Sequence, residues 1–182
     1  GNTEPTGLCG SGLLDVLAIL LDTGAVDETG RMLDADEADE AVAPFLGKRE
    51  GKNAFWLHRE NGVCITSDDI RKLQLAKAAI AAGIQTLIHE EGVDEVKGFY
   101  LCGGFGSFMD QKSAARMGLF PKAFLPVART LGNTAGEGAA LAVWSADARK
   151  LLNEIRDRCD YIELSDSRYF NDEFIEQMMF EE

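Results

Sequence analysis

The clearest pattern of apolar and polar positions lies between residues 66 and 92. Apolar side chains recur there at steps of three and four residues, at Ile70, Leu73, Ile80, Ile84, Leu87 and Ile88. This period predicts an amphipathic helix that ends near Gly92. Thr66 and Asp69 stand at the spacing of a capping box, so we expect the helix to begin there.

Other stretches predict three more helical regions and a helix at the end of the chain. Residues 13–22 are apolar nearly all round and predict a buried helix that ends at Gly24 in a left-handed cap. Residues 111–119 predict a short helix, and residues 133–159 predict a helix in one or two pieces. The last helix has an apolar face formed by Phe170, Phe174, Ile175 and Met178.

Strand patterns lie between these helices. Residues 53–60 and 62–66 predict a hairpin with its turn at Asn61-Gly62, and two further strands are predicted at 97–104 and 160–164. The acidic residues 27–52 lack a clean period and predict a loop-rich excursion with a short helix. Strands that alternate with helices indicate an α/β fold.

Charge narrows the function classes. The 182 residues carry a net charge of −13, with the acidic excess at 27–40 and in the last thirty residues. Such a balance argues against nucleic-acid binding and against an anionic membrane surface, because both require clustered cations. The acidic stretches are either a solvated surface or a docking face for a basic partner. No signal peptide and no uncharged apolar run of 18 residues is present, so no membrane span is predicted. The free thiols predicted below favour a cytoplasmic location.

The metal-ligating residue types are scattered. Cys9, Cys64, Cys102 and Cys159 form no CxxC pair, and neither histidine has a partner at ligand spacing. This is neither a zinc nor an iron–sulfur pattern. No metal site is predicted, and three of the four cysteines lie in apolar or glycine-rich contexts that predict buried free thiols in a reducing compartment.

Three glycine-rich segments carry the candidate chemistry. The first is Gly103-Gly104-Phe105-Gly106-Ser107, after a predicted strand; the second is Gly10-Ser11-Gly12; the third contains Asn133 and Gly136 in GNTAGEGAA. Glycine lets a backbone approach a ligand closely, and a helix that starts there directs N–H groups at an anion. The alternatives are a tight turn at the first segment, a plain helix cap by Ser11 at the second, and close helix packing at the third. The first segment is not GxGxxG, so a Rossmann dinucleotide site is unsupported.

The order of these segments resembles one known family. GLCGSGLLDVLAILLDTGAVD, TSDDIRKLQLAKAAIAAGI, LCGGFGSFMD, GNTAGEGAAL and YIELS together resemble the C-terminal domain of reductive activators of corrinoid proteins, from about Thr6 onward. These ATP-dependent proteins return oxidised Co(II) corrinoid to Co(I) in methyl-transfer systems. The resemblance implies part of an actin-like (ribonuclease H-like) ATPase fold of the ASKHA superfamily, with a mixed sheet flanked by helices and nucleotide held between two lobes.

The resemblance also implies roles for residues. LCGGFG, which contains Gly103, Gly104, Phe105 and Gly106 and is followed by Ser107, matches the adenosine motif of that superfamily. AGEGAAL matches its second connecting helix, where small residues let the lobes hinge, with Asn133 and Gly136 at its start. Gly10, Ser11 and Gly12 stand where related dehydratase activators have a Gly-Thr-Gly nucleotide loop. Gln74 and Lys77, one turn apart, are expected to flank the adenine, although Lys77 on an amphipathic helix also fits a solvated surface lysine.

Several family features fall outside these residues. The resemblance implies ATP or ADP with Mg²⁺, but the phosphate loops that hold them are absent here, as is the [2Fe–2S] segment. We therefore expect residues 1–182 to be one lobe and part of the cleft wall, with no catalytic residue and no redox activity alone, and with a corrinoid protein as partner. Two alternatives stay open: a lobe of a small-molecule kinase, and a non-catalytic docking domain or homodimer that uses the last helix.

Overall fold

Seven α-helices and five β-strands lie within residues 3–181, the part of the chain that the computed structural model describes. The helices are α1 (Gly10–Asp22), α2 (Ser67–Glu90), α3 (Gly103–Phe108), α4 (Gln111–Arg116), α5 (Thr134–Trp144), α6 (Ala146–Arg156) and α7 (Arg168–Glu176). The strands are β1 (Leu46–Arg49), β2 (Lys52–His58), β3 (Val63–Thr66), β4 (Phe99–Cys102) and β5 (Ala128–Gly132).

The strands form two sheets. β1, β2 and β3 make an antiparallel sheet in chain order, whereas β4 and β5 pair in parallel, with Phe99 opposite Ala128 and Cys102 opposite Gly132. The α/β class expected from the sequence is confirmed. Among the described residues, the antiparallel strands and the parallel strands belong to separate sheets, and the parallel sheet consists of β4 and β5 alone.

One apolar core joins α1, α2 and α4 to the antiparallel sheet. Leu17 and Leu20 of α1, Ile65 of β3 and Ile70 of α2 are all fully buried in it. α1 packs on α4, and α2 packs on α7 and on strands β2 and β3. The apolar period predicted the helix but only part of its buried face: Ile70 is buried, whereas Ile80 and Leu87 are about half exposed. The other buried residues of α2 are Gln74, Lys77, Ala78, Ala81, Ala82 and Thr86. None of the helices in the described part is both long and apolar enough to cross a membrane.

The capping signals in the sequence are confirmed. The Thr66 hydroxyl accepts a hydrogen bond from the Asp69 backbone N–H, and the Asp69 carboxylate accepts one from the Thr66 N–H at 3.0 Å. This reciprocal pair satisfies two backbone donors at the start of α2. Gly24 follows α1 with a φ of +67°, as its left-handed cap requires.

One predicted strand is wrong, because residues 160–163 form no strand and Tyr161 is 83% exposed. The segment 27–52 is largely loop and contains the short 3-10 helix Ala43–Phe45, as expected, and in addition the strand β1. The 3-10 helix Lys122–Val127 and the strand β5 that follows it were not predicted. The glycine segment after β4 forms the short helix α3.

Candidate functional site

The carboxyl edge of the parallel pair brings two of the glycine segments side by side. Cys102 at the end of β4 lies opposite Gly132 at the end of β5, so Gly103 and Asn133 leave the same edge. α3 begins at Gly103 and α5 begins at Thr134. Ligands of open α/β sheets bind outside the carboxyl ends of the strands, so this edge is the candidate site.

The paired glycines present an open side of α3. Gly103 has a φ of +87°, and a Cβ built on either Gly103 or Gly104 would meet no atom within 4 Å. Gly104 does not have a positive φ, so its backbone conformation leaves room for a side chain. A ligand could therefore approach the backbone here closely, and a side chain at Gly104 would project into that space.

Gly106 and Ser107 of the same segment fix α3 in place. Gly106 is buried, and a Cβ there would lie 3.4 Å from the carbonyl carbon of Leu101 on β4. The Ser107 hydroxyl donates a hydrogen bond to the Gly103 carbonyl oxygen at 2.7 Å, within the same short helix. Gly106 thus allows α3 to fold back against its own strand, while Gly104 stays open.

The second glycine segment forms the first turn of α1 rather than a turn before it. The helix begins at Gly10, and Cys9 caps it: the Gly12 N–H donates to Cys9 Sγ at 3.4 Å. Cys9 Sγ also lies 3.3 Å from the Ser11 hydroxyl oxygen. These hydrogen bonds, from Ser11 first and the Gly12 N–H second, lower the pKa of the Cys9 thiol. The expectation that Ser11 would be the cap is wrong, because the residue before the helix fills that role.

Asn133 and Gly136 form the cap of α5. Asn133 Oδ1 accepts a hydrogen bond from the Gly136 N–H at 3.2 Å. A Cβ on Gly136 would lie 2.8 Å from Asn133 Nδ2, so a glycine at this position lets the amide side chain fold over the helix start. Both residues are exposed at the edge where β5 ends.

The first and second glycine segments touch through one aromatic ring. A Cβ built on Gly10 would lie 2.8 Å from Phe105 Cε2 and 3.3 Å from Phe105 Cδ2. Phe105 is half exposed and stands between Gly104 and Gly106 on α3. The start of α1, the paired glycines of α3 and the capped start of α5 are therefore gathered at one edge of the parallel pair.

Gln74 and Lys77 lie away from this group, under the segment 177–181, which we call the C-terminal segment. Gln74 Nε2 donates to the carbonyl oxygens of Thr29 at 2.8 Å and Met178 at 3.1 Å. Lys77 Nζ donates to the carbonyl oxygens of Gln177 and Met179. Their contact with a nucleotide stays a prediction, and in this conformation it would require the C-terminal segment to move.

Lys77 is buried rather than solvated. Its side chain is 2% exposed, and Nζ lies 5.7 Å from the centre of the Phe180 ring. Burial lowers the pKa of the Lys77 ammonium group to about 8, and the nearby Glu181 carboxylate opposes that shift. The alternative of a surface lysine on an amphipathic helix is wrong, because the C-terminal segment covers this face of α2.

The cysteines do not fit an iron–sulfur cluster or any other metal centre. All four are free; Cys9, Cys102 and Cys159 are exposed, and Cys64 is half-buried on β3. The expectation of buried thiols is wrong, because Cys9, Cys102 and Cys159 lie at or beyond the ends of helices or strands. Within residues 3–181, no group of three or more His, Cys, Asp or Glu side chains could hold a metal ion.

Two features were missed from the sequence, the contact of Phe105 with Gly10 and the burial of Phe180. Phe105 was noted as part of the glycine segment, but nothing in the local pattern links its ring to Gly10. Met178 was expected on the apolar face of the last helix, but α7 ends at Glu176, and both Met178 and the buried Phe180 lie beyond it. The one sequence signal that could have indicated the burial of Phe180 is an aromatic residue next to the acidic Glu181.

Comparisons with known proteins agree on one family. The family model described as the C-terminal domain of RACo, the ASKHA domain, matches residues 1–182. The corrinoid activation enzyme RamQ of Eubacterium limosum is 30% identical over 190 residues, which are 99% of this chain and 32% of that protein. A solved reductive activator for corrinoid, iron-sulfur protein superposes with a TM-score of 0.82 at 32% identity, over 95% of this chain and 28% of the other. The chain thus spans about a third of the length of these relatives.

Proposed function

Since this chain belongs to the family of RACo C-terminal ASKHA domains, we propose that it binds the nucleoside end of ATP or ADP within a reductive activator of corrinoid proteins. The site is the carboxyl edge of β4 and β5. Gly103 to Ser107 lie under the nucleoside, and the starts of α1 and α5 flank it. Residues 1–182 form one lobe and part of the cleft wall.

The observation that carries this proposal is the open backbone at Gly103 and Gly104. Their missing side chains leave space at the edge where two other helix starts converge. A planar base and a ribose can rest on backbone that has no Cβ, and N–H groups at the helix starts favour an electron-rich ligand. The similarity to a corrinoid activation enzyme and to a reductive activator supports the choice of nucleotide and partner.

The phosphates and the redox chemistry belong to other parts of the longer protein. The described residues offer no cluster of acidic ligands for Mg²⁺ and no cysteine set for a [2Fe–2S] centre. In the proposed reaction, a reduced [2Fe–2S] centre outside these residues would give up one electron and become oxidised, and that electron would convert Co(II) of a corrinoid protein to Co(I). This lobe contributes by binding the nucleotide, which shifts the cleft between its open and closed states. The size of that shift depends on how much more tightly the nucleotide binds one state than the other. We place the protein in the cytoplasm.

Asp110 and the two phenylalanines of α7 favour neither of the two alternatives. A small-molecule kinase needs an aspartate that is free to act as general base, but Asp110, which follows α3, accepts a hydrogen bond from the Ser113 N–H at 2.8 Å and caps α4. A homodimer through α7 would need its apolar face. Phe170 and Phe174 on that face are already half-buried where α7 packs on α2.

Calorimetry with ATP and with ADP tests the proposal on the full-length protein. We expect saturable binding of both, with one nucleotide for each chain. Inorganic phosphate should compete weakly and adenosine should compete measurably, because this lobe contacts the nucleoside. Absence of nucleotide binding by the full-length protein would refute the proposed function. Binding that adenosine does not affect would refute the assignment of this edge to the nucleoside.

A further inference from the structure

The contact between Gly10 and Phe105 explains why a glycine opens α1. Gly10 does not have a positive φ, so its backbone conformation does not require glycine. A Cβ there would lie 2.8 Å from Phe105 Cε2, closer than real Cβ contacts come. The glycine therefore leaves room for the Phe105 ring against the backbone of the first turn of α1, and a methyl group at position 10 would require that half-exposed ring to shift.

The same ring belongs to the helix that presents the open glycines. Gly106, one residue after Phe105, packs against the Leu101 carbonyl carbon of β4 and fixes α3 to its strand. Gly104, one residue before Phe105, faces empty space. Phe105 thus lies between a fixed residue and an open one, and its ring spans the gap to α1.

We propose that Phe105 is a positioning residue for nucleotide binding, whose ring sets the separation between the first turn of α1 and the backbone of Gly104. This inference rests on the proposed function and deepens it. A ligand that contacts two backbone segments requires both at a fixed distance, and a shift of about half an ångström is enough to weaken such a site. The exposed half of the ring does not need to touch the base for this role.

A double-mutant cycle on the full-length protein tests the inference. The variants are Gly10→Ala, Phe105→Leu and the combination, with the helical Gly83→Ala as control, because a Cβ at Gly83 makes only an ordinary 3.7 Å contact with Leu164. Gly10→Ala pushes the ring away from α1, and Phe105→Leu removes the Cε2 atom that meets the new methyl group. Calorimetry gives the ATP affinity, and thermal unfolding shows that each variant is folded.

The expected result is strong coupling. Gly10→Ala should weaken ATP binding about tenfold, and Phe105→Leu should restore part of that loss in the double variant rather than add to it. The control should bind like the wild type. If Phe105→Leu does not fold, Phe105→Met replaces it, since a flexible side chain also yields to the methyl group.

Two results would overturn the inference while leaving the nucleotide site intact. One is unchanged ATP affinity in folded Gly10→Ala. The other is additive losses in the double variant, as expected if the Phe105 ring simply stacks on the base. If the wild-type protein binds no ATP, both the inference and the proposed function are wrong.

Discussion

Lys77 Nζ lies 2.5 Å from the carbonyl oxygen of Gln177, although the two residues are 100 positions apart in the chain. The same ammonium group also donates to the carbonyl oxygen of Met179 at 2.7 Å. Both acceptors lie just beyond the end of α7, where carbonyl groups have no partner within the helix. Lys77 therefore joins α2 to the C-terminal segment.

Replacing Lys77 with methionine should destabilise the fold. Methionine keeps much of the apolar stem, but the carbonyl oxygens of Gln177 and Met179 lose their donor. We expect the free energy of unfolding to fall by roughly 1–3 kcal/mol, the usual cost of leaving buried polar groups unsatisfied. Urea unfolding of Lys77→Met measures the change. Lys72→Met is the matched control, because the Lys72 side chain is 77% exposed; an equal loss in both variants would contradict the assignment.

The lowered pKa of Lys77 should make this stabilisation depend on pH. Burial lowers the pKa from its ordinary 10.5 to about 8, so between these values the unfolded chain binds more protons than the folded chain. The free energy of unfolding contributed by Lys77 must then rise with pH from about 8 to about 10.5 and stay constant below 8. Urea unfolding at several pH values, with Lys77→Met subtracted, should show this rise. A fall over the same range would contradict the direction of the shift.

Gly118 should resist substitution for two separate reasons. Its φ is +77°, and a Cβ there would lie 2.7 Å from Lys77 Cε. Gly51 has a φ of +82° but nothing within 4 Å, so it isolates the backbone cost. We expect Gly51→Ala to lower the free energy of unfolding by about 1 kcal/mol and Gly118→Ala to lower it clearly further. Similar losses of unfolding free energy in the two variants would contradict this prediction and would show that the Lys77 side chain moves away from the new methyl group at no energetic cost.

The Cys9 thiol should be unusually ready to ionise. Its pKa is lowered first by the hydrogen bond with Ser11 and then by the Gly12 N–H, and the side chain is exposed. Alkylation by iodoacetamide, followed residue by residue in a mass spectrometer, should therefore reach its half-maximal rate at a lower pH for Cys9 than for an ordinary thiol. Ser11→Ala should move that midpoint upward. If Ser11→Ala left the pH midpoint of Cys9 alkylation unchanged, the lowered pKa of Cys9 would have a cause other than the hydrogen bond with Ser11.

Local signals made the helices predictable. The boundaries of α2 follow from an apolar period and from a capping box within four residues, and the end of α1 follows from Gly24; each depends on neighbours in the chain. β1 and β5 lacked such signals. β5 is a short strand whose alignment comes from pairing with distant β4, and residues 160–164 have a strand-like pattern but no partner strand among the described residues.

The candidate site was predictable as three segments but not as an arrangement. Glycine before a helix start is visible in the sequence, and parallel pairing of β4 with β5 then brings two of the segments to one edge. The contact of Gly10 with Phe105 joins residues that are distant in the chain, so no periodicity indicates it. The burial of Lys77 depends likewise on Phe180 and the C-terminal segment, whose position only the folded chain defines.

The ATP affinity of full-length Gly104→Val is the measurement that tests the nucleoside assignment most directly. Gly104 has an ordinary φ and open space around its Cβ position, so valine should fit the fold without shifting its thermal unfolding. The side chain then projects into the proposed nucleoside path. The account predicts loss of ATP and ADP binding by calorimetry, with Gly83→Ala binding like the wild type. Unchanged affinity in a folded Gly104→Val protein would contradict it.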